Sequence, residues 1–433
     1  MDYNKKSLEF HKKLKGKIEV KSKVSLKTKE DLSLAYTPGV AEVSRKIAED
    51  IKKVYDYTIK GNSVAVISDG SAVLGLGNLG AEAALPVMEG KAVLFKELAG
   101  IDAFPIVLKE QNIEKTISTI KNISPVFGGI NLEDFKAPEC FEIESQLQDL
   151  GIPVMHDDQH GTAVVVLAGL INSLKLKKAD KKDVKIVVNG AGAAGIAIVK
   201  LLLKYGFKNI LILDSKGIIY KDRGDLNKYK KEIAEILSSA CDFDTEQKQT
   251  APLKMRSVFN KTGFSSVSPK PQQTTYFKVR SKTEGFGDYE NKECVLGGLP
   301  SALKGADVFI GVSKAGVLKP EMIKLMNKKP VIFAMANPEP EINPDDAKKA
   351  GAFIVATGRS DFPNQVNNVL AFPGIFRGAL DIKAKKITDE MKIAAAEALA
   401  ELIEPRVDKI LPEALDKSVV LKVANAVKRA YLV

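Results

Sequence analysis

The chain has 433 residues, 45% of them apolar, and a net charge of +11 from 65 lysines and arginines against 54 acidic residues. That length buries a large core and argues for two or three domains, and the apolar fraction is ordinary for a soluble globular protein. Its longest apolar runs, such as GTAVVVLAGLI, are too short to span a bilayer, so no membrane partner is expected.

The opening MDYNKKSLEF lacks the apolar run of a secretory signal. Three separated cysteines, Cys140, Cys241 and Cys294, form no CxxC pair. They argue against a disulfide framework or a structural zinc site and suit a cytoplasmic protein. Ten lysines between residues 5 and 29 read as a solvated surface. No aromatics are interleaved with them, and no helix-turn-helix or RRM pattern appears, so a nucleic-acid partner is not expected.

In chain order, residues 1–60 read as polar helices broken by AYTPGV at 35–40. The run SVAVISDG reads as a strand, followed by the loop GLGNLG and the helix AEAALPVMEGKAVLF. AFPIVL is a further strand, EKTISTIKNI a helix, PVFGGIN a strand, CFEIESQLQDLG a helix and IPVMH a strand. Such alternation predicts α/β architecture with parallel sheets covered on both faces. A long apolar helix is predicted over 161–178, ending in KLKKADKKD. A second α/β unit runs from VKIVVNGAGAAG to about residue 360, and the rest is helical and alanine-rich. Residues 239–293, rich in Ser, Thr, Gln, Lys and Pro, read as a mobile surface insertion in that unit.

GxGxxG occurs twice, and context separates the two. Gly190, Gly192 and Gly195 directly follow the strand KIVVNG and open the helix AAGIAIVKLLLKYG. A second strand, NILILD, ends in Asp214. This is the βαβ dinucleotide pattern: close backbone approach to a pyrophosphate at a helix N-terminus, with an acid for the ribose hydroxyls. Ala193 and Ala194 complete the turn. Asp214 favours NAD because a carboxylate repels a 2′-phosphate. Lys216 stands close enough in sequence to pair with that phosphate, which keeps NADP open. Gly75, Gly77 and Gly80 read as shaping a substrate cleft.

The segment HDDQH sets His156 and His160 four apart, as in zinc peptidases. Here Asp157 stands where a zincin has Glu, and Pro153 with IPVMH predicts that His156 ends a strand. The aspartates point elsewhere. Asp157 and Asp158 follow one strand, and Glu133 and Asp134 follow another. Carboxylates gathered at strand ends make a hard, oxygen-rich site suited to Mg²⁺ or Mn²⁺, and caps and turn residues are the bland alternative.

The motifs SLAYTPGVAEV, SDGSAVLGLGNLG, MEGKAVLFKELAGID, GGINLEDF, HDDQHGTA, VVNGAGAAG, MANPEPEI and NNVLAFPG occur in that order. Together they resemble the short prokaryotic-type malic enzymes over nearly the whole chain. The 239–293 insertion departs from the usual short pattern. The resemblance implies an N-terminal substrate and metal domain over 1–160 and a Rossmann-type NAD(P) domain over 161–375. The alanine-rich remainder, 376 to 433, is expected from its own pattern to be helical and to pack back on the first domain.

By that resemblance Tyr36 and Lys91 match the catalytic tyrosine and lysine, and Asp157 the acidic residue beside the metal. Glu133, Asp134 and Asp158 match the metal ligands. Asn337 and Asn368 match asparagines that touch cofactor and substrate. Larger relatives carry an arginine where Ala72 stands, which leaves Ser71 or backbone amides to hold the substrate carboxylate. The implied activity is oxidative decarboxylation of L-malate to pyruvate with NAD or NADP and Mg²⁺ or Mn²⁺, in a homodimer. Lys91 would take the hydroxyl proton, a role that calls for a lowered pKa, and Tyr36 would protonate C3. A malolactic-type enzyme releasing lactate and an inactive nucleotide-binding regulator are the rivals.

Overall fold

The computed structural model describes residues 3–240, 275–279 and 292–431. Helices α1 (Tyr3–Leu14), α2 (Lys29–Ala35), α3 (Val40–Glu49) and α4 (Val54–Tyr57) come first, and none of them buries a residue. A capping box of Thr28 and Asp31 starts α2. Lys17 ties this arm to the next helix through Glu89 and the carbonyl of Pro86.

The first sheet follows as β1 (Ser63–Ser68), α5 (Ala81–Ala99), β2 (Asp102–Val107), α6 (Ile113–Ile123), β3 (Gly129–Leu132), α7 (Glu139–Leu147) and β4 (Val154–His156). Its strands are parallel in the order β2-β1-β3-β4. All six residues of β1 are buried, as a central strand between two helical layers requires.

Helix α8 (Asp157–Lys177) leaves β4 without a break and is buried along most of its length. It begins four residues before the start that the sequence suggests at Gly161, and the boundary drawn at residue 160 falls inside it. Two aspartates in its first turn face the positive end of the helix, which favours the earlier start.

The second sheet is built from β5 (Lys185–Asn189), α9 (Ala193–Tyr205), β6 (Asn209–Asp214), β7 (Gly217–Ile218) and α10 (Lys228–Ala240). After a pair of antiparallel strands, β8 (Thr275–Val279) and β9 (Lys292–Leu296), it continues through α11 (Leu299–Leu303), β10 (Val308–Gly311) and α12 (Pro320–Ile323). It closes with β11 (Val331–Ala334), α13 (Pro344–Lys349) and β12 (Ile354–Thr357). The order is β12-β11-β10-β5-β6-β7, parallel except for β7. Most of the 239–293 insertion lies outside the described residues; β8 and part of β9 fall within it.

Helices α14 (Phe372–Asp381), α15 (Asp389–Glu401) and α16 (Lys417–Tyr431) pack together at the end. α14 sets Phe372 and Phe376 edge-on to Phe95 of α5, at 4.7 and 5.4 Å between ring centres. α15 lies on α8 and α9, so these helices bridge the two sheets. The boundary suggested at 375 falls within α14.

Candidate active site

Register assembles the acidic group. Leu132 ends β3 and pairs with His156, which ends β4. The next residues, Glu133 and Asp134 on one side and Asp157 and Asp158 on the other, therefore leave the sheet at one level of its carboxyl edge. Lys91, on the buried face of α5, reaches over this edge. Its Nζ lies 2.8 Å from Glu133 Oε1 and 2.5 Å from Asp157 Oδ2, and 4.3 Å from the centre of the Phe372 ring. Only 7% of the lysine side chain is exposed.

The neighbouring groups hold this arrangement. Asn131 donates to Glu133 Oε2 at 2.9 Å. Asp134 adopts φ 56°, a strained conformation for a residue with a side chain, and its N–H donates to Asp158 Oδ2 at 2.9 Å. Gly161 leaves room for the Asp157 carboxylate: a Cβ there would stand 1.8 Å from Asp157 Oδ1 and 3.2 Å from Asn368 Cβ.

Glu144 of α7 reaches the start of α8 from behind. It accepts from the His156 amide at 2.8 Å, from Gln159 Nε2 at 3.0 Å and from His160 Nε2 at 3.0 Å. Lys392 Nζ of α15 lies 3.1 Å from His160 Nδ1, on the other side of the ring from Glu144. His160 and its four-residue neighbour thus serve different partners. His156 is fully buried, neither ring nitrogen has a hydrogen-bond partner among the described residues, and Nε2 lies 3.8 Å from Asp158 Oδ2. Burial pushes its pKa down to about 4.

Burial and mutual repulsion act on the carboxylates. Burial, and then repulsion from Glu133 against the pull of Lys91, pushes Asp157 up to about 7. Glu133 and Asp134 shift upward for the same reasons, burial first. For Lys91, burial alone favours loss of the proton, but Asp157 and Glu133 reverse this and hold its pKa above the ordinary lysine value. The lowered value expected for a lysine base is therefore not found here, because two carboxylates stand against the ammonium.

Among the described residues no three His, Cys, Asp or Glu side chains converge as a ready metal cage. Lys91 supplies the positive charge between Glu133 and Asp157 instead. The chemistry of the donors still fits a divalent cation. Asp134 Oδ2 and Asp157 Oδ1 are buried without a partner among the described residues, and the carboxylates outnumber the one lysine beside them.

Other expected residues lie apart. Tyr36 closes α2, stands 67% exposed, and among the described residues is bonded only through its backbone, to Leu32 and Val40. Ser71 is buried, donates to Asp69 Oδ1 at 2.6 Å and accepts from the Lys136 amide at 2.9 Å. The amides of Ala72 and Leu74 are taken by the carbonyl and the side chain of Asp134. Ser71 and these amides are thus engaged within their own loop in this structure. Asn337 is exposed, and its carbonyl lies close to Gly75, where the glycine loop of the first sheet meets the second.

On the second sheet, Gly190 takes φ 125° and packs against the Val312 carbonyl, where a Cβ would fall 2.5 Å away. A Cβ on Gly195 would fall 1.7 Å from the Gly190 carbonyl, so helix and strand meet only with glycines there. Space above Gly192 is open, and α9 begins at Ala193 and Ala194 with no side-chain cap. Free amides at a helix N-terminus beside an open glycine fit a pyrophosphate.

Sequence reading missed Glu144, Asn131 and Gly161. Gly161 is visible in HDDQHGTA, but nothing in the sequence says which carboxylate needs its space.

Comparison with known proteins agrees with this architecture. The family description "Malic enzyme, N-terminal domain" matches residues 15–148, and "Malic enzyme, NAD binding domain" matches 159–255 and 265–431. A bifunctional malic/malolactic enzyme of Bacillus subtilis is 51% identical over 99% of this chain and 93% of its own length. An NAD-dependent malic enzyme of Geobacillus stearothermophilus is 48% identical over 96% of this chain and 76% of its own length. An NADP-dependent malic enzyme of Rhizobium meliloti is 46% identical over 92% of this chain, which spans 45% of that protein. The crystal structure of an NAD-dependent malic enzyme from Thermotoga maritima superposes with a TM-score of 0.82, at 50% identity and 98% coverage of both chains.

Proposed function

The chain belongs to the malic enzyme family, and on that premise we infer that it oxidatively decarboxylates L-malate to pyruvate and CO2 with NAD or NADP. The observation that carries the reading is Lys91, buried between Glu133 and Asp157 at the carboxyl edge of one sheet, in a chain whose other sheet holds a dinucleotide cradle.

Glu133, Asp134 and Asp158 would hold Mg²⁺ or Mn²⁺. A bound cation of this kind would supply a Lewis acid that draws electrons toward the C2 oxygen of malate as CO2 leaves. A bound NAD or NADP, in its oxidised form, would supply the acceptor for the C2 hydride. Lys91, held as an ammonium, passes a proton to Asp157 at 2.5 Å and takes the C2 hydroxyl proton in its place. The bond between C3 and C4 then breaks, and Tyr36 protonates C3. Asn368, beside Asp157, and Asn337, near the glycine loop, are the polar groups assigned to substrate and cofactor. Gly190, Gly192, Ala193, Ala194 and Gly195 are assigned to the pyrophosphate.

Tyr36 belongs to an arm whose apolar side chains stand in solvent, among them Leu8, Val20, Leu34 and Ile51. We assign this face to a second copy of the chain, giving a homodimer in which Tyr36 serves the partner's Lys91. Among the described residues no helix is long and apolar enough to cross a membrane.

A second reading has a specific ground, since the Bacillus subtilis relative carries both malic and malolactic names. In it the hydride returns to pyruvate C2, and lactate leaves with no net reduction of cofactor. Mixing the protein with L-malate, Mn²⁺ and NAD or NADP tests both. Reduced nicotinamide matched by pyruvate is the expected result. Lactate without net reduction would replace it with the malolactic reading, and no turnover would remove both.

A further inference from the structure

In the second sheet the chain leaves β5 toward β6 on one side and returns beside it through β10 on the other. A dinucleotide lies across the crevice where strand order reverses, here between β5 and β10. The glycine turn that begins at Gly190 forms one bank. Asp214, at the end of β6 on that side, marks the adenosine half. Arg223 and Lys230 pair with it at 2.8 and 2.6 Å, while Lys216 turns to Asp225 at 2.8 Å. The other bank is the segment after β10, from Val312 to Leu318, and it falls to the nicotinamide half.

Glu341 holds that second bank from beneath. It follows β11, is fully buried, and gives its two carboxylate oxygens to two different loops. Oε1 accepts from the Ser313 amide at 2.9 Å. Oε2 accepts at 3.0 Å from the amide of Ala336, the residue before Asn337. Gly311 makes room for the group: a Cβ there would stand 2.4 Å from Glu341 Cδ. The Leu318 amide donates to the Glu341 carbonyl and the Gly316 amide to that of Pro340, so the two loops run together. Burial raises the pKa of the carboxylate, and the Ala336 and Ser313 amides work against that rise. An ionised carboxylate accepts twice and offers no donor, which is what two converging amides require.

The link continues to the first bank. Gly311 of β10 and Asn189 of β5 are register partners. Asn189 Nδ2, next to Gly190, donates to Ser313 Oγ at 2.8 Å. Glu341, Ser313 and Asn189 thus join a buried charge to the glycine turn.

We propose that Glu341 is a positioning residue for the nicotinamide half of the dinucleotide, holding the β10 bank and the start of the Asn337 loop at the spacing the cofactor needs. The inference rests on reading the chain as an NAD(P)-dependent enzyme, but its test is binding rather than turnover. Glu341→Gln keeps the size of the side chain and sets an NH2 group against one of the two amides. Fluorescence titration with NADH and NADPH reads the whole cofactor, and calorimetry with ADP reads the adenosine half alone. On the reduced dinucleotide that the wild type binds better, the variant should lose about tenfold or more, with ADP affinity kept to within about twofold. Ser313→Ala cuts the same chain at a solvent-exposed link, so it reports even if the buried variant fails to fold. It should lose about three- to tenfold on that dinucleotide.

Equal losses on the dinucleotide and on ADP, or no loss in folded Glu341→Gln or Ser313→Ala, would overturn the proposal. So would a wild type that binds neither dinucleotide. Malate turnover measured alongside keeps the two readings apart. Selective loss on the dinucleotide, with no turnover by the wild type, would uphold the role of Glu341 and strike the malate reading.

Discussion

Asp157 shows how one residue is tuned by its surroundings. Its ordinary pKa is 3.8, and in the fold it is pushed up to about 7. Between those values the folded protein holds a proton that the unfolded chain releases. Raising the pH through that window therefore costs the folded state stability; below it both states are protonated and the term vanishes. Glu133 and Asp134 shift the same way. We expect the melting temperature of the cation-free protein to fall from about pH 4 to about pH 7, and saturating Mn²⁺ to remove most of that fall. A cation-free melting temperature that holds level across the window would mean that the carboxylates do not repel one another as described. The carboxylates themselves were readable in GGINLEDF and HDDQH, because strands end where those residues begin. Lys91 was not readable without the family resemblance, since the chain holds 65 basic residues and burial is not written in any one of them.

At the scale of elements, the turn from β4 into α8 carries Asp157 and Asp158, and Glu144 of α7 fixes it from behind. Burial pushes the Glu144 carboxylate up, but the attraction and hydrogen bond of His160, with His156 and Lys392 behind it, outweigh burial and hold it down at about 2. Glutamine at this position keeps the shape but cannot accept from the His156 amide, Gln159 and His160 together. Glu144→Gln should weaken Mn²⁺ binding about 10- to 100-fold, read by paramagnetic resonance titration, because groups behind a ligand orient it. Unchanged Mn²⁺ affinity in a folded variant would show that the turn holds without this carboxylate. Alternation of strands and helices was legible from apolar runs and turn residues. The start of α8 was not: the run preceding Gly161 is polar, and its helicity comes from a dipole and a tertiary carboxylate rather than from an apolar stripe.

For the whole molecule, the open question of assembly turns on Tyr36. If the partner's arm completes each site, then Tyr36→Phe and Lys91→Met, each inactive alone, should recover about a quarter of wild-type rate when mixed as random dimers. One site of each mixed dimer would then hold both native residues. No recovery from mixed dimers shown by light scattering would place Tyr36 and Lys91 of a site on one chain.

By itself the sequence determined the α/β plan, the dinucleotide turn and the carboxylates at strand ends. These depend on short-range rules: alternation of apolar runs, glycine where backbones meet, and acids where a strand stops. Tertiary structure alone decided that Lys91 bridges Glu133 and Asp157, that Ser71 is spent on its own loop, and that Arg223 and Lys230 occupy Asp214. Each of those joins residues that only packing or a loop's return brings together. The energy of a buried charge depends on what the fold sets beside it, and one-dimensional spacing does not carry that.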